Sequence, residues 1–82
     1  MVDTKYDSVF LEVLSIESSQ LGPQLLYQSV ESWDSVGHME LISKLEVVFG
    51  LNLEMDDVID FSSYTVGKKI LQKYGVVFEN LS

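Results

Sequence analysis

The sequence predicts an all-α protein: a four-helix bundle of three longer helices and one short one. Three observations carry that expectation. Apolar residues return at spacings of three and four in separated stretches of the chain. Asp and Thr stand ahead of those stretches and Gly behind them, and no stretch alternates with the two-residue period of a half-buried strand. The 82 residues make one domain, 46% hydrophobic, with one Trp, four Tyr and four Phe to build a core. A chain of this size buries only about 60% of the surface its unfolded form exposes, so its stability is expected to be modest.

The elements follow in order. Tyr6, Val9, Phe10, Val13 and Leu14 fall on one helical face, with Asp3 placed as an N-cap, and predict a first helix over residues 4 to 15. From Ile16 to Trp33 the period dissolves into serines, a Gly22-Pro23 turn signal and the apolar cluster Leu25, Leu26 and Tyr27. A connection of roughly 20 residues is long for a compact domain, so the cluster is expected to pack on the helices, with an extra helical turn as one way of doing so. The second helix is predicted over residues 35 to 49, with Val36, Met39, Ile42, Leu45 and Phe49 as its inward stripe, flanked by Leu41 and Val48. Asp34 is its N-cap, accepting from the Val36 or Gly37 amide; Gly50 is its left-handed C-terminal stop; Trp33 folds over the first turn as a hydrophobic staple. Glu54 to Asp60 holds only one or two turns. Thr65 is read as the cap of the last helix, with Val66, Ile70, Leu71 and Tyr74 inward, Lys68, Lys69 and Lys73 toward its C-terminal half and Gly75 as its stop. The tail Val76-Val77-Phe78 either packs on the bundle or frays.

Thirteen acidic residues against five basic ones, all lysine, give a formal net charge of -8. Such a surface repels phosphate backbones and anionic lipids, which disfavours nucleic-acid and membrane partners and favours proteins with basic docking patches. The absence of cysteine removes disulfides, thiolate metal sites and a cysteine nucleophile, and one histidine makes a histidine-rich metal site unexpected. No run reaches the roughly 18 apolar residues of a membrane span, and the start MVDTKYDSVF lacks a basic region followed by an apolar one, so a cytoplasmic location is expected. Without such a signal the sequon Asn80-Leu81-Ser82 carries no weight.

Ser35 and His38, three apart with acids nearby, invite comparison with a hydrolase fragment. A bundle this small has little room for a water-excluded substrate pocket, and no G-x-S-x-G elbow is present, so His38 is read as a solvated helix residue. Glu54, Asp56, Asp57 and Asp60 do not fill the ligand positions of a calcium-binding loop, and a helix-turn-helix reader would need a basic recognition helix. What remains is the position of Ser35. A side-chain oxygen in the first turn of a helix lies where unpaired amides and the positive dipole end favour an attached anion, so Ser35 is well placed to carry a phosphate ester.

Asp34-Ser35-Val36, then Met39-Glu40-Leu41, Leu45-Glu46 and Phe49-Gly50, resembles the D-S-L-x-x-x-E-L-x-x-x-L-E-x-x-F pattern of acyl carrier proteins. Leu51-Asn52-Leu53, the short acidic segment and Thr65-Val66-Gly67 continue the match, which covers most of the chain. The resemblance implies a four-helix bundle whose serine, here Ser35 between Asp34 and Val36, is esterified by 4'-phosphopantetheine from coenzyme A. It implies a magnesium-dependent phosphopantetheinyl transferase as first partner, then enzymes that load and transfer acyl groups held as thioesters on the arm. The protein itself would be no enzyme and is expected to act as a monomer.

For the docking surface the resemblance points to Gly37, His38, Glu40, Lys44, Glu46 and Val47, and for an acyl chain folded back into the bundle to Leu41, Leu45, Leu53, Val58 and Phe61. Gly37, where fatty-acid-synthesis carriers often have an acid, and Val47-Val48 make the face less acidic and more apolar than in the housekeeping type. The lead-in W-D-S-x-G-H looks more like carriers of specialised polysaccharide or secondary-metabolite pathways. A carrier for an amino acid or another small acyl unit, and an unmodified acidic helical interaction domain, are the alternatives.

Overall fold

A computed structural model describes residues 2 to 79, and the sequon at residues 80 to 82 lies outside them. The apolar stripes fold into four α-helices: α1 (Val2–Leu14), α2 (Ser35–Phe49), the short α3 (Met55–Asp60) and α4 (Tyr64–Lys73). Among the described residues there is no strand, only an isolated antiparallel bridge between Leu26 and Ser63. No helix among them is long and apolar enough to cross a membrane.

The first helix starts earlier than its pattern suggests. Asp3 lies inside the first turn of α1 instead of capping it, and its carboxylate accepts from the Glu79 amide at 2.8 Å. Residue 15 leaves the helix with φ 52. The apolar face is the expected one, with Tyr6, Val9, Phe10 and Leu14 buried.

In the long connection a 3-10 turn forms over Ser18–Gln20, ahead of the apolar cluster, and Leu25 alone of that cluster is buried; Leu26 and Tyr27 are exposed. The connection is held by backbone bonds to the chain entering α4, Tyr27 N to Ser62 O and Tyr64 N to Leu25 O, each 2.9 Å. The Ser32 hydroxyl also donates to the Leu14 carbonyl at 2.7 Å, which ties the connection to the end of α1.

The limits of α2 are those expected, with Gly50 in the left-handed conformation at φ 65. Its inward face is different. Gly37, Leu41, Ile42 and Leu45 are buried, whereas Val36 and Met39 point outward, 65% and 52% exposed. Trp33 is fully buried and packs on His38 at the start of α2, the N′-to-N4 contact expected of a staple, with a hydrogen-bonded imidazole in place of an apolar partner.

The cap of α4 is Ser63, whose hydroxyl accepts from the Val66 amide at 3.0 Å; Thr65 lies inside the helix with its hydroxyl buried and without a hydrogen-bond partner. Ile70 and Leu71 are buried, Val66 and Tyr74 half-buried. Gly67 lets α4 approach the core closely: a Cβ there would lie 2.2 Å from Phe61 Cζ and 2.3 Å from the Tyr6 hydroxyl.

Lys68 turns inward. Its ammonium lies 4.8 to 5.8 Å from the ring centroids of Tyr64, Phe78 and Tyr6, and 3.8 Å from the Asp3 carboxylate. Cation–π attraction and the ion pair offset part of the cost of removing that charge from water. The tail packs through Phe78, edge-on to Tyr6, while Val77 stays exposed.

At the centre, Phe10 meets Tyr6 at 4.9 Å, Tyr64 at 5.3 Å and Trp33 at 5.6 Å between ring centroids, within the range where tilted and edge-to-face aromatic pairs are favourable. The Tyr6 hydroxyl donates to the Tyr64 carbonyl at 2.6 Å, and the Tyr64 hydroxyl to the Asp7 carboxylate. Burial, with the neighbouring Tyr64 and Asp7, raises the Tyr6 hydroxyl well above its ordinary range, so it stays a donor.

Candidate functional site

Asp34 and Gly37 shape the start of α2. The Asp34 carboxylate accepts from the Gly37 amide at 2.8 Å, and its carbonyl accepts from the His38 amide, also at 2.8 Å. A Cβ on Gly37 would lie 2.0 Å from the Ser32 carbonyl oxygen, so only glycine lets the incoming chain cross the first turn this closely. Ser35 is the first residue of the helix, and its side chain is exposed between two apolar hollows.

The larger hollow, about 720 Å³, is a shallow groove along α2 and the end of α1, lined by Val13, Val36, Met39, Glu40 and Val47 among others. The smaller, about 360 Å³, is a more enclosed cleft between α2 and α3. Its apolar walls come from Met39, Met55, Val58, Ile59 and Phe61, with Tyr27 and His38 beside them. Ser35 borders both.

The structure places the expected residues in different settings. Among those expected to shelter an acyl chain, Val58 and Phe61 line the cleft; Leu41 and Leu45 are fully buried core, and Leu53 is a half-buried residue packed against that core. Of the residues expected to dock partners, Glu40 and Val47 are exposed, the latter by 79%. Gly37 is interior. The Glu46 carboxylate turns back to accept from the Leu53 amide at 2.9 Å, which fixes the α2–α3 connection. Lys44 pairs with Glu12 of α1 at 3.6 Å.

His38 is not a solvated residue. It is half-buried, its ring nearly coplanar with that of Trp33, and both nitrogens are engaged: the Trp33 indole N–H donates to Nδ1 at 3.0 Å, and Nε2 lies 2.8 Å from the Val58 carbonyl. Indole can only donate, so Nδ1 is the acceptor and the neutral Nε2–H tautomer satisfies both partners. Neither nitrogen has a lone pair left to take the Ser35 proton.

Sequence reasoning named Val36 beside Ser35 but set it, with Met39, on the inward stripe, and did not single out Met55 and Ile59 as outward apolar residues. Val36, Met39, Met55 and Ile59 are each more than half exposed and rim the two hollows. A second apolar stripe, Val36, Met39 and Val47 at helical spacing, was the available signal.

No family model, no curated protein and no solved structure matches the chain.

Proposed function

We propose that the chain is an acyl carrier protein bearing 4'-phosphopantetheine on Ser35. The observation that carries this reading is the exposed Ser35 hydroxyl on the first residue of a firmly capped helix, bordered by an apolar hollow on either side. The residues suit the group. The Gly37 and His38 amides are held by Asp34, while those of Ser35 and Val36 lie at the open, electropositive end of α2 beside the attachment point.

In the attachment reaction, catalysed by a magnesium-dependent transferase, Ser35 Oγ forms a bond to the phosphorus of coenzyme A next to pantetheine. The pyrophosphate P–O bond breaks, adenosine bisphosphate leaves with the electron pair, and the hydroxyl proton passes to the transferase or solvent. The arm supplies a terminal thiol that holds an acyl group as a thioester. The chain itself supplies position. Asp34 and Gly37 fix the direction of the Ser35 side chain; Val36, Met39, Glu40 and Val47 present a mixed apolar and acidic surface to partner enzymes; the α2–α3 cleft shelters a short apolar group. A flexible tether raises the effective concentration of the acyl group at each docked active site.

Incubating the unmodified protein with a transferase, magnesium and coenzyme A is expected to add one phosphopantetheine mass, and Ser35→Ala to abolish the addition. The exposed side chains of Val36, Val47 and Ile59 favour one other reading, an unmodified acidic interaction domain. It leaves unexplained why a free serine stands between both hollows. A cargo of one amino acid or another small acyl unit remains within the carrier reading.

A further inference from the structure

We infer that His38 is a positioning residue that closes the inner end of the cleft beside Ser35, and so limits the length of acyl group the protein can shelter; the inference rests on the carrier reading. Three features of the cleft point to it. Its walls are apolar, so its preferred content is hydrocarbon. Part of its lining is a ring wall: His38 lies nearly coplanar with the fully buried Trp33, joined to it edge to edge, with the Phe61 ring edge-on at 6.0 Å and the Tyr27 ring edge-on at 5.4 Å. The wall is also locked, because the imidazole bridges the Trp33 indole on one side and the Val58 carbonyl of α3 on the other.

A chain entering from Ser35 therefore reaches a barrier whose removal would leave a buried indole N–H and a helix carbonyl without partners. The same bridge sets the spacing of α3 from α2. His38 thus fixes both the depth and the width of the cleft.

The clasp is tested first on the unmodified protein by nitrogen NMR of the imidazole and hydrogen exchange of the indole. The expected result is a neutral Nε2–H tautomer and a slowly exchanging Trp33 indole proton. An Nδ1–H tautomer, or exchange at the solvent rate, overturns the clasp whether or not Ser35 accepts an arm.

The length limit is tested on arm-bearing protein loaded with butanoyl, octanoyl or hexadecanoyl groups, reading the thermal midpoint. The native protein is expected to gain from butanoyl to octanoyl and nothing further with hexadecanoyl. In His38→Ala the gain continues to hexadecanoyl, and His38→Gln, which can bridge the same two partners, restores the plateau. Should His38→Ala fail to fold, Trp33→Phe removes the indole donor together with part of the buried ring beside His38 and is expected to move the plateau the same way. An identical chain-length profile in native and variant proteins, or an unbroken gain in the native one, overturns the length limit. Failure of Ser35 to accept the arm overturns the carrier reading and the length limit with it, while the tautomer and exchange results still decide the clasp.

Discussion

Ser35 and Gly37, two residues apart on one helical turn, sit in opposite settings: the side chain of one is exposed, and the other has no room for a side chain. A methyl group at Gly37 meets the Ser32 backbone oxygen, which cannot swing aside as a side chain could. Gly37→Ala is therefore expected to cost about 1–3 kcal/mol of unfolding free energy in urea titrations, and to slow arm attachment by displacing the Asp34–Ser35 turn. Asp34→Ala removes the carboxylate that holds the Gly37 amide and is expected to cost about 0.5–2 kcal/mol in the same titration. The Asp34 cap was legible because side-chain capping is a local rule. The need for Gly37 was not, because the oxygen it avoids comes from the connection, whose path no local pattern specifies. His38 escaped for the same reason: its two partners are an indole from the connection and a carbonyl on α3.

At the level of elements, α2 has apolar residues on two faces, and periodicity alone does not say which one is covered. Val36 and Met39 lie at helical spacing from Ile42, but Leu41, Ile42 and Leu45 are the side chains that enter the core, and Val36 and Met39 stay outside. The start of α4 carries two hydroxyl residues two positions apart. Ser63, not Thr65, becomes the cap because the bonds between residues 25 to 27 and 62 to 64 hold the chain extended up to that point.

The short α3 is fastened to α4 by Asp57, which accepts from Lys73 at 2.5 Å and from the Tyr74 hydroxyl, while the Tyr74 oxygen accepts from the Glu54 amide at 3.0 Å. The Lys73 bond, with help from Tyr74, holds the Asp57 carboxyl below its ordinary value of 3.8. A group depressed in the folded state stabilises above its unfolded pKa and loses that contribution as pH falls through the folded one. Lys73, raised chiefly by the same bond, stabilises below its unfolded pKa and loses its share as pH rises through the folded value. Unfolding curves are thus expected to show a loss of stability below about pH 4, and Asp57→Asn to lower stability at neutral pH and flatten that acidic fall. An unchanged acidic slope in Asp57→Asn would contradict this role.

Across the whole molecule, the radius of gyration of 11.3 Å is close to the roughly 12 Å of a compact chain of this length. The two ends of the described chain close on one another, Asp3 receiving the Glu79 amide and Phe78 covering Tyr6 beside Lys68. Phe78→Ala is therefore expected to cost about 3 kcal/mol and to expose Lys68 to solvent, measurable as a lower thermal midpoint. The number of helices and their class were legible because they depend on local period and end signals. The inward turn of Lys68 was not, and the choice between a packed and a frayed tail stayed open, because both depend on residues far apart in sequence, Asp3 and Tyr6 against Lys68 and Phe78.

Under the proposed function, the bundle holds Ser35 out for modification. Intact mass after incubation with transferase, magnesium and coenzyme A tests it directly. A gain of one phosphopantetheine is expected in the native chain and none in Ser35→Ala; an unchanged native mass across transferases of differing specificity, or an equal gain in the variant, overturns the carrier reading.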